Sequence, residues 1–254
     1  MLDSARRRTS KCLLWSALAA PLLLAIGCTL GRMRETAELA RASEPLQRPV
    51  HEADARLLIV GDSTAVGTGA SAPQTSLAGL LANAYPSLHI ENRGRDGATF
   101  ADLARQLEGG SPFDMVLILA GGNDVIRLRR LERMGAEIDR VISRARERAS
   151  LVLVMPAGNV GNAPFFFPPL SWLMTSRARR MHAYVHDSAA RHGAVYVNLF
   201  KERKADPFAL RPALNARDGL HPSDLGYRLW FDELRKQSGL EQRLAALTPS
   251  PRTP

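Results

Sequence analysis

The chain predicts an α/β protein, a three-layer α/β/α sandwich around a central parallel sheet, and three observations carry that expectation. Short, continuously apolar runs such as Leu57-Leu58-Ile59-Val60 and Met115 to Ala120 have the composition of parallel strands covered on both faces. Longer segments place apolar residues at helical spacing between them. Strand-like and helix-like segments then alternate from residue 56 to residue 236, the pattern of a sheet wound with helices on both sides.

The elements follow in order. Leu57 to Val60 is the first predicted strand, Ser76 to Tyr85 a helix, Leu88 to Glu91 a second strand, and Thr99 to Glu108 a second helix. Met115 to Ala120 is the third strand. Across Val125 to Ala149, Leu128, Leu131, Met134, Ile138, Val141, Ile142 and Ala145 recur at helical spacing, while arginines and acids fill the other face. This reads as one amphipathic helix packed on the core. Leu151 to Met155 is a fourth strand, Ser176 to His192 a helix, Ala194 to Leu199 a fifth strand, and Pro222 to Lys236 a closing helix.

A chain of 254 residues with 45% hydrophobic composition is enough for one domain with a sizeable core, expected over residues 56–245. Residues 32–55 are polar, with Pro45 and Pro49 and no sustained periodicity, and read as a tether. Residues 246–254 read as a disordered tail. The net charge of +9 comes mostly from arginines scattered over helical segments. No nucleic-acid-reading motif accompanies it, so a solvated basic surface is expected and not a nucleic-acid partner.

The first 31 residues carry an address. Arg6-Arg7-Arg8 and Lys11 precede an uncharged, largely apolar stretch from Cys12 to Gly31, as in an export signal or a membrane anchor. Leu24-Ala25-Ile26-Gly27-Cys28 resembles a bacterial lipoprotein signal, although Ala25 stands where such signals prefer Leu or Val. Lipoprotein, uncleaved anchor and secreted protein all remain open, and each exports the domain to the bacterial cell envelope or beyond. The only cysteines, Cys12 and Cys28, lie in this stretch. The folded domain therefore has neither disulfides nor Cys-based zinc sites.

Four patches could carry chemistry. Gly61-Asp62-Ser63, Asn92-Arg93-Gly94-Arg95-Asp96-Gly97 and Gly121-Gly122-Asn123-Asp124 each follow a predicted strand, where an open α/β sheet gathers its loops. The fourth is Asp218-Gly219-Leu220-His221. A serine hydroxyl needs a neighbouring base before it can act as a nucleophile. His221 precedes Pro222, which disfavours helical geometry at His221 and suits the first turn of a following helix. Asp218, three residues earlier, can fold back onto Nδ1–H, leaving Nε2 for the serine. Asn123 and the backbone N–H groups of Gly97 and Ser63 are candidate donors to an oxyanion. Asp62 and Asp124 read as acids that cap nearby backbone N–H groups.

These patches resemble the SGNH (GDSL-type) hydrolase family, named for a Ser, Gly, Asn and His that correspond here to Ser63, Gly97, Asn123 and His221. Asp218 matches the acid of the family's Asp-x-x-His block, and the resemblance runs from about Leu57 to Leu234. Asp96 stands where many members have a small residue, which leaves Gly94 as the alternative donor. The resemblance implies a flavodoxin-like sheet order, a serine esterase with no metal or organic cofactor, and an ester substrate: a lipid, a thioester or an acetylated sugar. A carbohydrate O-acetylesterase acting on envelope polysaccharide and a non-catalytic binding module are the alternatives.

Two further features compete for attention. His182 and His186 are four apart on a predicted helix, but no Glu follows His182 and no third ligand is evident, so a surface helix is expected. The run Phe165-Phe166-Phe167-Pro168-Pro169-Leu170 with Trp172, Leu173 and Met174 is apolar within a connection. It packs on the core, walls an acyl pocket, forms a lid or touches a membrane.

Overall fold

A five-stranded, all-parallel sheet organises residue 27 and residues 30–247, the part of the chain that the computed structural model describes. Its strands are β1 (Ala55–Gly61), β2 (Leu88–Asn92), β3 (Met115–Leu119), β4 (Leu151–Val154) and β5 (Val195–Tyr196). The order is β2-β1-β3-β4-β5, the flavodoxin-like arrangement that the family resemblance implied. Leu57 faces Leu117's strand one way and β2 the other, in register with Met115 and Ile90.

Strand alternation splits the core into two layers. Leu57, Ile59, Met115, Leu117 and Leu153 point to the side covered by α3 (Leu77–Ala84), α9 (Asp224–Ser238) and α10 (Leu240–Leu247), where Tyr227 and Leu234 are fully buried. Leu58, Val60, Val116, Ile118 and Val152 point to the opposite side, against α4 (Phe100–Gln106), α6 (Leu131–Arg148) and α7 (Leu170–His192). Each apolar run thus feeds both layers, which explains why these strands are apolar at every position.

Several boundaries differ from those read from the sequence. The helix expected over Val125 to Ala149 is two: α5 (Gly122–Ile126) and α6, parted at Leu128, whose φ of 51° leaves the right-handed helix. α7 begins at Leu170, six residues before the expected Ser176, and absorbs the end of the aromatic run. β5 is only two residues long. Beyond it the Gln237 side chain exchanges both hydrogen bonds with the backbone of Asn198, at 2.7 and 3.1 Å, in place of a strand partner.

The largest difference lies in residues 32–55. Residues 30–42 form a helix, α1, and Gln47 and Arg48 then pair with the edge of β2 through Asn92 and Ile90. This stretch is therefore packed structure where a polar tether was expected. The cavity-facing side of α1 is built of Thr36, Ala37 and Ala40, with Met33 largely exposed at its end, and Thr and Ala are too polar or too small to register as an apolar stripe. Most of residues 1–31, including Cys12 and Cys28, and residues 248–254 of the expected tail lie outside the described residues. Among the described residues no helix is long and apolar enough to cross a membrane.

Candidate active site

β1 lies between β2 and β3, so the chain leaves the sheet in opposite directions on its two sides and a crevice opens at the strands' carboxyl ends. Gly61 ends β1 there. A Cβ at this position would lie 1.9 Å from the Leu119 carbonyl oxygen, so only glycine lets β1 run this close to β3. Asp62 caps the short helix α2 (Ser63–Val66): its carboxylate accepts from the Thr64 N–H at 2.9 Å and the Thr64 hydroxyl at 2.8 Å. Burial raises the Asp62 carboxyl above its usual range against the pull of these bonds. The cap presents Ser63 at the start of a helical turn, its own N–H without a partner among the described residues.

The fourth patch meets it across the crevice. His221 Nε2 lies 2.9 Å from Ser63 Oγ, and Nδ1 lies 2.6 Å from Asp218 Oδ2. Asp218 is fully buried and its other oxygen accepts the backbone N–H groups of Leu220 and His221, at 2.9 and 3.1 Å. Burial pushes its carboxyl up, but the hydrogen bond and charge of His221 and these two N–H donors outweigh burial and hold it at about 2. Gly69 makes room for the histidine loop, since a Cβ there would reach within 2.4 Å of the Pro222 carbonyl oxygen.

The donor side of the crevice is equally defined. Asn123 lines the pocket, and its Nδ2 gives one hydrogen to the Ala98 carbonyl at 3.1 Å, which orients the amide and leaves its second hydrogen without a partner among the described residues. Gly97 has a φ of 74° and an N–H with no partner among the described residues. The N–H of Gly94, the alternative donor, is already engaged by the Asn92 side chain at 2.9 Å. Asp96, which lines the same cavity, accepts the Thr68 hydroxyl at 2.7 Å. Asp124 braces the loop from beneath by accepting the Phe100 N–H at 3.1 Å, and burial pushes its carboxyl up to about 6.

Ser63, Gly97, Asn123 and His221 open onto one cavity of about 410 Å³. Its walls are largely apolar and include Ile126, Phe165 and Leu220 together with Met33, Ala37 and Ala40 of α1. The α1 residues were missed in the sequence. Their positions, 33, 36, 37 and 40, follow the i, i+3, i+4, i+7 rule, a signal visible only if Ala and Thr are counted as core-facing.

Residues 59–229 match the family model described as GDSL-like Lipase/Acylhydrolase family. The chain belongs to that family. The GDSL-like esterase Rv1075c of Mycobacterium tuberculosis (strain ATCC 25618 / H37Rv) is 28% identical over 206 residues, covering 76% of this chain and 65% of that protein. The chain thus spans just under two thirds of that relative's length. Among solved structures, LAE5, an alpha/beta hydrolase enzyme from the metagenome of Lake Arreo, Spain, aligns with a TM-score of 0.58 at 21% identity, over 74% of this chain and 96% of that one. Axe2, an acetylxylan esterase from Geobacillus stearothermophilus, aligns with a TM-score of 0.54 at 21% identity, over 74% and 95%. These two likenesses establish the fold.

Within this GDSL-like hydrolase domain the other sequence candidates separate clearly. His182 is buried, where a surface position was expected: Nε2–H donates to the Ala157 carbonyl at 2.8 Å and Nδ1 accepts the Tyr196 hydroxyl at 2.7 Å. His186 is exposed. No group of three His, Cys, Asp or Glu among the described residues is placed to hold a metal. Of the aromatic run, Phe165 lines the cavity, Phe166 and Met174 enter the core, and Phe167, Leu170, Trp172 and Leu173 are exposed.

Burial lowers the His182 imidazole to about 4. The unfolded chain takes up this proton near 6.5 and the folded chain only near 4, so stability is lost as pH falls between those values, by on the order of 3 kcal/mol. Urea unfolding of His182→Gln should lack this part of the slope between pH 6.5 and 4. An unchanged slope would show that His182 is protonated in the fold.

Proposed function

We propose that this protein hydrolyses carboxylic esters through Ser63, with His221 as the base and Asp218 as its orienting acid. The single observation that carries the proposal is the hydrogen-bonded series Ser63, His221, Asp218 beside two unengaged backbone N–H groups in one cavity. Ser63 Oγ attacks the ester carbonyl while His221 Nε2 takes its proton. The oxyanion that forms is held by the N–H groups of Ser63 and Gly97 and by the free hydrogen of the Asn123 amide. One such donor is typically worth ~10²–10³ in rate. His221 then protonates the leaving alcohol, and in the second half it activates a water that releases the acid and restores Ser63. No step calls on a metal or an organic cofactor.

The apolar walls support acyl esters as substrates over acetylated sugars. The resemblance to Axe2 supports the second reading, a carbohydrate O-acetylesterase, through fold alone. Hydrolysis of p-nitrophenyl acetate, butyrate, octanoate and dodecanoate by the full chain tests both. An optimum at butyrate or longer is expected; strict preference for acetate would favour the sugar esterase, and no turnover by folded protein would leave a binding module. The basic and apolar composition of residues 1–31 supports export and attachment to the cell envelope, to be tested by membrane fractionation of the expressed chain.

A further inference from the structure

We infer that α1 is a working part of the active site: Thr36 positions the triad acid, and Met33, Ala37 and Ala40 form the wall that selects an apolar acyl group. This rests on the esterase reading and extends it to residues 30–42, which lie outside the span that the family model matches.

The first argument is the satisfaction of Asp218. An ionised carboxylate offers about four lone-pair sites. The N–H groups of Leu220 and His221 and the imidazole Nδ1–H fill three of them. The fourth contact comes from α1, whose Thr36 hydroxyl lies 3.1 Å from Asp218 Oδ2, the same oxygen that holds the imidazole. The Thr36 hydroxyl also lies 2.9 Å from the Arg32 carbonyl, so its proton is shared between a neutral acceptor and a buried charge, and the charge is the stronger partner. A fully buried carboxylate left short of a donor is costly. Thr36 therefore fixes the rotamer of Asp218 and, through it, the direction of His221 Nε2.

The second argument is the cavity. Met33, Ala37 and Ala40 line it, and their spacing puts them on the same face of α1 as Thr36. Small side chains on this face leave space where larger ones would fill it. Three contacts hold the helix in place: Arg217 pairs with Glu38 at 3.1 Å, the Arg32 guanidinium donates to the Pro164 carbonyl, and it stands 5.1 Å over the Phe167 ring. One element thus bounds the substrate and steadies the acid.

Full-chain variants test this. Thr36→Val keeps the shape and removes the hydroxyl, and should lower kcat for p-nitrophenyl acetate by about tenfold with KM unchanged; Thr36→Ser should restore it. The downfield proton resonance of His221 Nδ1–H should move in the valine variant and return in the serine one. Ala40→Phe fills the wall and should lower the ratio of kcat/KM for octanoate over acetate by about tenfold. Wild-type kcat in Thr36→Val, or a wild-type octanoate-to-acetate ratio in Ala40→Phe, overturns the proposal. If the wild-type chain hydrolyses no ester, the esterase reading falls, and two other measurements decide this one. They are the Nδ1–H resonance in Thr36→Val and calorimetric decanoate affinity, expected to weaken in Ala40→Phe; no change in either overturns it.

Discussion

Ser63→Ala is expected to hydrolyse p-nitrophenyl esters about 10⁴–10⁶-fold more slowly than the wild-type chain. The hydroxyl lies 2.9 Å from His221 Nε2, and in the proposed mechanism its loss leaves only the proposed oxyanion donors and the cavity walls to accelerate attack by water. The fold should be untouched. Ser63 is half-buried and among the described residues its side chain bonds only to the imidazole, so its loss should change stability by no more than about 0.5 kcal/mol. Steady-state hydrolysis and thermal unfolding, measured on the same preparation, separate the two effects. Residual activity within tenfold of wild type would mean that another nucleophile does the chemistry.

The next largest effect should come from Asp218→Asn, about 10⁴-fold in kcat. The geometry says how. One carboxylate oxygen receives the Leu220 and His221 N–H groups and the other receives Nδ1–H. An amide placed here must turn its oxygen toward the two backbone donors, which puts its NH₂ against Nδ1. The imidazole then carries its proton on Nε2, where it can no longer accept one from Ser63. The same variant tests the electrostatics. The Asp218 carboxyl is held at about 2 in the fold, below its unfolded value. It therefore contributes stability that is fully present above about pH 4 and is lost as pH falls toward 2, on the order of 2 kcal/mol. Urea unfolding at pH 6 and at pH 2.5 should show the wild-type advantage at the first and a smaller one at the second. Equal differences at both would mean that Asp218 is not ionised beside His221.

Legibility of the site in the sequence followed the range of the interactions. Ser63 with its Asp62 cap, and Asp218 with His221, are local arrangements in which two or three residues satisfy one another, so a short motif records them. The apolar strands were legible because burial on both faces leaves no polar position to confuse the pattern. His182 was misplaced on the surface because its partners, Tyr196 and the Ala157 carbonyl, are 14 and 25 residues away. Nothing near it in the chain announces that its ring is satisfied. Gly94 and Gly97 could not be told apart either, because only the folded loop shows that Asn92 has already taken the Gly94 N–H.

By itself the sequence determined the fold class, the domain's apolar strands and the four patches proposed to carry the chemistry, since each depends on near neighbours or on simple periodicity. Tertiary structure alone decided what became of residues 30–50. Their few large apolar residues are scattered, and the side chains of α1 that meet the cavity include Ala and Thr, too weak a signal to foretell a helix against the candidate site or a pairing with β2. Both contacts exist only because the sheet brings Asp218 and Asn92 within reach of residues 182 and 45 positions away.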